Sequence, residues 1–381
     1  MCKLRRNEGV YLMSTNCHFP LIEYLKNKTP YEWGKYHGEE YRTPIKELAN
    51  IRKELMLSKN PRLLKKLDEL AHSQFEISKK FSPSVALEIE GIVKGSNLTL
   101  TEIVILNNYT DFRDIELPEE GCSTIHLNSL NGEVLSGQTW DMHRSAKNYM
   151  CLLKIPRTNN NDSQMILTLV GCVGLMGINS QNALIGVNNI NTKNAKTGLI
   201  WPLLVRQTIL NSKTLFEMHQ MLTNAPVTSG HNYLISTQEG GEHLEITPTQ
   251  YEKVGSISKN KTGAIFHTNH CIGNEIKKNE DQSSMSSTTH NRFNLISNKI
   301  DKVVHFNEFK SLLQDHTEYP KSICSHFENG SQDPSFTCGG GLGNLTTGEY
   351  CFYRGCPTHD SDYKEYHFKI INGDFVKTFS K

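Results

Sequence analysis

Hydrophobic periodicity changes character once along this chain, near residue 120, and that switch limits the possible folds more than any other feature. Before it, helix signals dominate. Thr43-Pro44 and Asn60-Pro61 each set an N-cap residue ahead of a first-turn proline. Leu63, Leu64, Leu67, Leu70 and Ala71 then recur at helical spacing. Thr99 with Glu102 spells a capping box ahead of Ile103, Val104 and Leu106. After residue 120, strand-like runs take over, at 122–128, 133–140, 149–155, 165–170, 183–188, 231–236, 264–268 and 350–354. Helical stretches interrupt them at about 200–222 and about 307–315. A block of helices followed by a long run of strands predicts a layered α+β protein, not alternating βαβ units.

Residues 111–120 are acidic and carry Pro118, so they read as an exposed linker between the two regions. Residues 283–289 hold six Ser or Thr in seven and are expected to form a mobile loop. Lys plus Arg total 41 against 40 Asp plus Glu. That balance provides no clustered positive charge for a nucleic acid or an anionic membrane, and neither is expected as a partner. The longest apolar stretch, 165–178, is too short to span a bilayer, which takes about 20 residues. The N-terminus has a basic start without an apolar run of secretory length, so a soluble cytoplasmic chain is expected. Its ten cysteines form no C-x-x-C pair and are expected to be reduced and mostly buried.

The hairpin after the linker carries the first chemical signal. Asn131-Gly132 between two strand-like runs predicts a two-residue type I′ turn. In that register Leu130 faces Glu133, and Cys122 lies directly opposite Asp141 on one face of the sheet. A carboxylate beside a thiol opposes thiolate formation, so Asp141 would serve to hold or orient a cation. A free α-amino group on Cys122 would be such a cation. Read from the hairpin alone, the pair is more often a strand cysteine beside an ordinary strand-end aspartate.

Gly121-Cys122-Ser123-Thr124 and Gly137-Gln138-Thr139-Trp140-Asp141 resemble the nucleophile region of the penicillin acyltransferase-like cysteine peptidases, members of the N-terminal nucleophile (Ntn) hydrolase superfamily. The similarity extends upstream to Gly34-Lys35-Tyr36-His37-Gly38 and to Glu90–Gly95 followed by Glu102–Asn107. Downstream it includes Gly186-Val187-Asn188, His267-Thr268-Asn269-His270-Cys271 and Tyr319-Pro320-Lys321-Ser322-Ile323-Cys324. It covers about residues 20–370, and no single motif carries it.

The resemblance implies a four-layer αββα fold, two packed antiparallel sheets between helical layers. It also implies a precursor that cuts itself between Gly121 and Cys122. Residues 1–121 would then be a helical pro-segment, retained after cleavage as a partner of the catalytic piece 122–381. Carried over by position, Cys122 is the nucleophile, Asp141 its orienting carboxylate and Asn269 an oxyanion-hole amide. Trp140, Asn188 and His267 are pocket or supporting positions. A glycine at 121 would allow strained backbone and close approach by sulfur. The implied reaction passes an acyl group from a small amide or an acyl-CoA to Cys122 as a thioester, then to water or an amine. No cofactor and no metal are expected, and acyl-CoA enters only as a substrate. Two departures stand out. Ser123 occupies a position where the family more often has Thr. Residues 322–353 hold no Lys or Arg, whereas the penicillin acyltransferase has a catalytic-region Arg just after its Tyr-Pro-x-Ser-Ile-Cys motif, a difference that counts against penicillin acyl transfer itself but not against the enzyme class.

Two other functions are compatible with the same residues. One is a papain-like thiol protease with a separate histidine such as His267, and the other a family member that never processes and only binds. His267 and His270, at i and i+3 on a strand, should point to opposite faces and hold no metal. Cys351 and Cys356 have no matching second pair and read as buried thiols rather than a zinc site. The glycine-rich run 338–343 has no Gly-Lys-Ser/Thr of a phosphate loop and reads as a strand or bend.

Overall fold

Caps and prolines place the helices of the first third. The structure, a computed structural model, describes residues 17–114, 121–158, 162–285, 287–326 and 335–380. After a short strand β1 (Leu21–Glu23) come α1 (Pro30–Glu40), α2 (Arg42–Lys59), α3 (Leu67–Phe81), α4 (Pro83–Ser96) and α5 (Leu100–Asp114). Thr99 and Glu102 close the expected box at the start of α5, Glu102 N donating to Thr99 Oγ1 at 3.2 Å and Thr99 N to Glu102 Oε2 at 2.8 Å. Asn60 caps a 3-10 turn at Pro61–Lys65, whereas α2 already runs from Arg42, so Thr43 is a first-turn residue and not a cap. Helices α1 and α4 cross through two glycine pairs, Gly34 with Gly38 and Gly91 with Gly95. A Cβ on any of the four would fall inside the backbone of the facing helix. This contact accounts for the glycines of two of the quoted motifs.

The strands follow as β2 (Gly121–Asn128), β3 (Val134–His143), β4 (Met150–Ile155), β5 (Gln164–Leu169), β6 (Met176–Asn179) and β7 (Leu184–Asn189). Two helices, α6 (Trp201–Asn211) and α7 (Leu215–Thr223), stand where one long helix is expected. Then come β8 (His231–Thr237), β9 (Gly240–Ile246), β10 (Tyr251–Ser258), β11 (Gly263–His267), α8 (Thr289–Lys299) and α9 (Phe306–Leu313). The chain closes with β12 (Ser335–Asn344), β13 (Glu349–Arg354), β14 (Lys364–Ile371) and β15 (Asp374–Ser380). One sheet runs β1-β4-β5-β6-β7-β8-β9-β10 and the other β11-β2-β3-β12-β13-β14-β15. Every neighbouring pair is antiparallel except β1 with β4. The glycine run is part of β12, where absent side chains make room for the Tyr350 and Tyr353 rings of β13.

The sheets face one another through β2, β3, β7 and β8, with α8 and α9 outside the second sheet and the remaining helices outside the first. The result is the αββα layering the family resemblance implies. A single apolar core joins Ile89, Ile92 and Leu106 of the first third to Leu152, Ile166 and Leu203 of the rest. Each such side chain contributes about 1.5–3 kcal/mol by leaving water. A smaller core under α8 and α9 holds Ile125, Leu135, Ile296 and Phe309.

Two loop expectations are corrected. Residues 111–114 form the last turn of α5, with Asp111 buried and accepting from Ser229 Oγ at 2.7 Å; the rest of the expected linker lies outside the described residues. Thr289, the end of the expected mobile loop, is fully buried as the first residue of α8. No helix of the described residues is long and apolar enough to cross a membrane.

Candidate active site

The hairpin turn sets the geometry of the site. Ser129 N donates to Glu133 O, Gly132 N donates to Ser129 O, and Gly132 alone of the loop takes a positive φ, +84°. The loop is therefore three residues long, a tight turn followed by a left-handed glycine. Asn131 closes it with its side chain, accepting from Glu133 N at 3.1 Å. The longer loop moves the pairing by one. Cys122 lies opposite Trp140, and Asp141 lies opposite Gly121. The expected direct pairing of Cys122 with Asp141 is thus wrong, because a one-residue slip sends a side chain to the other face.

That slip sorts the residues between two environments. Cys122, Thr124 and His126 face the first sheet, where Thr124 Oγ1 donates to Asn188 Oδ1 at 2.6 Å and Gln138 Oε1 accepts from Val187 N at 2.8 Å. Gly121 and Asp141 face α8. There a Cβ on Gly121 would lie 2.8 Å from Asp141 Oδ2 and 3.2 Å from Arg292 Nη2. Space beside Asp141 and Arg292 therefore favours a glycine at 121.

Arg292 on α8 was not anticipated, and it connects the site. Its Nη1 donates to the Cys122 carbonyl oxygen and to Ser123 Oγ, and its Nη2 donates to Asn269 Oδ1 at 2.8 Å. Its Nε donates to Thr288 Oγ1 at 3.0 Å and stands 3.9 Å from Asp141 Oδ2. The site thus contains an arginine, although none follows the Tyr-Pro-x-Ser-Ile-Cys motif. The sequence signal was hard to see: Arg292 sits 23 residues beyond Asn269 in a polar stretch.

Asn269 Oδ1 also accepts from the backbone nitrogen of Cys122 at 2.7 Å, and its Nδ2 donates to Asn189 O at 2.9 Å. Those three bonds fix which end of the amide is oxygen. One hydrogen of Nδ2 remains for an incoming oxygen atom. Thr289 Oγ1 accepts from Asn269 N at 2.8 Å and so ties the start of α8 to this residue.

Burial pushes the Asp141 carboxyl above its usual range, while Arg292 and the hydrogen bond from Thr337 Oγ1, 2.6 Å from Asp141 Oδ1, pull it back. The same burial lowers the Arg292 pKa, and Asp141 and Cys122 oppose it. Trp140 is buried beside Cys122 on the inner face. Asn188 Oδ1 accepts from Asn232 as well as Thr124. His267 has one ring nitrogen 2.8 Å from Glu245 Oε1 and the other 2.7 Å from its neighbour's carbonyl, Thr268 O. Both nitrogens are committed to these partners, so His267 is not placed as the histidine of a papain-like pair. The His267 and His270 rings stack at 6.2 Å rather than facing apart, because β11 ends at His267 and the chain bends after it.

The fold is αββα, and near the start of β2 the backbone nitrogen of Cys122 is bonded to Asn269 and its carbonyl oxygen to Arg292. Residues 128–335 match the family model "AAT: Acyl-coenzyme A:6-aminopenicillanic acid acyl-transferase", more than half of the chain, and the chain belongs to that family. The match includes Asp141, Asn269 and Arg292 and begins just after Cys122. The chain is similar to the acyl-coenzyme A:6-aminopenicillanic-acid-acyltransferase 40 kDa form of Emericella nidulans, 26% identical over 79% of this chain and 84% of that protein. Among solved structures, the N-acylethanolamine-hydrolyzing acid amidase ortholog of Caenorhabditis elegans aligns at TM-score 0.41 and 10% identity, covering 59% of this chain and 93% of that one. Conjugated bile acid hydrolase from Clostridium perfringens, as its C2A mutant, aligns at TM-score 0.40 and 11% identity, over 68% and 96%.

Proposed function

We propose that the protein is a self-processing N-terminal-nucleophile enzyme that makes and discharges a thioester on Cys122. The supporting observation is that the Cys122 backbone nitrogen, the atom that would become the α-amine, is already held by Asn269, with Arg292 bound to both residues. In the first reaction the thiol sulfur attacks the Gly121 carbonyl carbon and the Gly121–Cys122 amide breaks, its nitrogen taking a proton. Water then hydrolyses the thioester, leaving a Gly121 carboxylate and a free Cys122 thiol and α-amine. The pre-segment stays bound and the chain from Cys122 carries the chemistry.

In turnover the new α-amine, with an unperturbed pKa of about 7.7–8.0, takes the thiol proton near neutral pH. The thiolate attacks the donor carbonyl, the remaining Asn269 N–H steadies the oxyanion, and the leaving group departs with the proton. Loss of Gly121 opens space beside Asp141, so the carboxylate holds or orients the α-amine. The acyl donor is a small amide or, as the name of the Emericella relative suggests, an acyl-CoA; the acceptor is water or an amine.

Denaturing electrophoresis with N-terminal sequencing tests the first step. Purified protein should show two pieces, one starting at Cys122, and Cys122→Ala should stay whole and folded. Active protein that remains one uncut chain would falsify self-processing. Protein that stays whole and also forms no Cys122 thioester, weighed by mass spectrometry after a donor pulse, is a binding module instead.

A further inference from the structure

Far from the sequence motif of any zinc site, two cysteines and two histidines converge in this fold. Cys324 and His326 come from the loop after α9, together with His316, and Cys356 comes from the turn between β13 and β14. Their four ligand atoms all lie within 4.8 Å of one another. His316 Nε2 is 3.3 Å from His326 Nε2, Cys356 Sγ is 3.2 Å from His316 Nε2, and Cys324 Sγ is 3.7 Å from His326 Nε2. Tetrahedral zinc with Zn–N near 2.0–2.1 Å and Zn–S near 2.3 Å requires N–N separations of about 3.3–3.4 Å and N–S separations of about 3.5–3.6 Å. The observed spacings straddle those values.

The surroundings support the same reading. Both sulfurs are buried, and Cys356 N donates to Asp360 Oδ2 at 2.7 Å, which fixes the turn that carries this thiol. The cluster lies outside the chemistry proposed for Cys122. The second convergence of this kind, Cys351 with Glu365 and His367, has Lys310 paired to the glutamate and so already holds its cation.

We propose that His316, Cys324, His326 and Cys356 bind one zinc ion in a closed, structural Cys2His2 site. Two thiolates balance the charge of the ion, and the four protein ligands leave no open position for catalysis. The expectation that Cys356 is merely a buried thiol is thereby replaced: its partners lie up to 40 residues away. The site staples the loop after α9 to the turn between β13 and β14. It also supports the catalytic region at one remove. Ser325, between two of the ligands, donates its N–H to Thr337 Oγ1 at 2.8 Å, and that hydroxyl donates to Asp141.

The test is metal content, read on the whole purified protein by plasma mass spectrometry after dialysis against zinc and then metal-free buffer. About one zinc per chain is expected, falling at least about tenfold in Cys324→Ser/Cys356→Ser. If that variant does not fold, zinc-edge X-ray absorption of the unaltered protein decides, and should show two sulfur ligands at about 2.3 Å and two nitrogens at about 2.0–2.1 Å. Cobalt substitution gives a further readout, as sulfur-to-cobalt absorption that is lost in Cys356→Ser. Unaltered protein with no stoichiometric zinc, a metal shell free of sulfur, or a Cys324–Cys356 disulfide found in the native protein by peptide mass mapping would each overturn the proposal.

Discussion

Asp141 Oδ2 lies 2.8 Å from the point where a Cβ on Gly121 would sit, with Arg292 Nη2 only slightly farther, at 3.2 Å. The residue before Cys122 is therefore limited in size by the carboxylate, and under the proposed self-cleavage that limit acts only while residue 121 is still attached. Gly121→Ala should slow self-cleavage about tenfold or more, a barrier change of about 1.4 kcal/mol. Turnover per cleaved molecule should be unchanged. Processing time courses on denaturing gels, paired with activity per free Cys122 N-terminus, check this. Cleavage at the original rate would show that Asp141 moves aside at no cost.

Asp141 and Asn269 should separate by step. Asp141→Asn removes the charge proposed to hold the α-amine, so processing and turnover should fall together. Asn269→Ala should allow some processing yet lower turnover by about 10² to 10³, the typical cost of one lost oxyanion donor. Each variant is scored by fraction cleaved and by acyl transfer or amide hydrolysis per cleaved molecule. Turnover near the unaltered level in cleaved Asn269→Ala would take that amide out of the reaction.

Arg292 is fully buried and shares the site with a buried carboxylate. Arg292→Ala leaves Asp141 without its cation, which typically costs about 3–5 kcal/mol of stability. Arg292→Lys keeps the charge but not the fork that reaches Cys122 O and Asn269 at once. The lysine variant should therefore unfold at a denaturant midpoint nearer that of the unaltered protein than Arg292→Ala does, and still process slowly. Normal processing in Arg292→Lys would reduce Arg292 to charge balance alone.

The pre-segment should stay bound after the cut. Glu88 Oε2 pairs with Arg206 Nη2 at 3.0 Å, both buried, while Tyr24 donates to the other Glu88 oxygen at 2.9 Å. β1 adds a parallel edge strand to β4, with Leu21 opposite Leu152. Asn107 Nδ2 donates to Gly171 O and Asn107 Oδ1 accepts from Val173 N. The Glu88–Arg206 pair, the β1–β4 pairing and the Asn107 bonds cross the proposed cleavage point, and the Tyr24 bond fixes Glu88 from within the pre-segment. Glu88→Gln should cost about 3–5 kcal/mol in equilibrium unfolding and loosen the two pieces at lower denaturant. Pieces of the unaltered protein that separate by gel filtration in native buffer would refute the arrangement.

Local signals carried the helical first third well, since capping boxes and first-turn prolines act within four residues. The α5 cap at Thr99 and Glu102 formed as its spelling requires. Strands were recognised where apolar runs are continuous, as in β4 and β5. They were missed where the run is polar or glycine-rich, as in β9, β10 and β12, because those strands are stabilised by cross-strand partners far away in the chain. The N-terminus of α8 was hidden in a Ser/Thr run, and with it went Arg292.

By itself the sequence determined the layered class, the passage from helices to strands near residue 120 and the residue types at Gly121, Cys122, Asp141 and Asn269, since each follows from short-range pattern or from a family spelling. Whether Cys122 or Gly121 faces Asp141 was decided by one extra residue in the hairpin loop, and a period of two makes that single residue reverse every side chain of the strand. Arg292 and the Cys2His2 cluster were decided wholly by tertiary structure. Cys356 lies 40 residues from His316 and Arg292 lies 170 from Cys122, and only the packing of α8 and of two distant loops on the second sheet brings them within bonding distance.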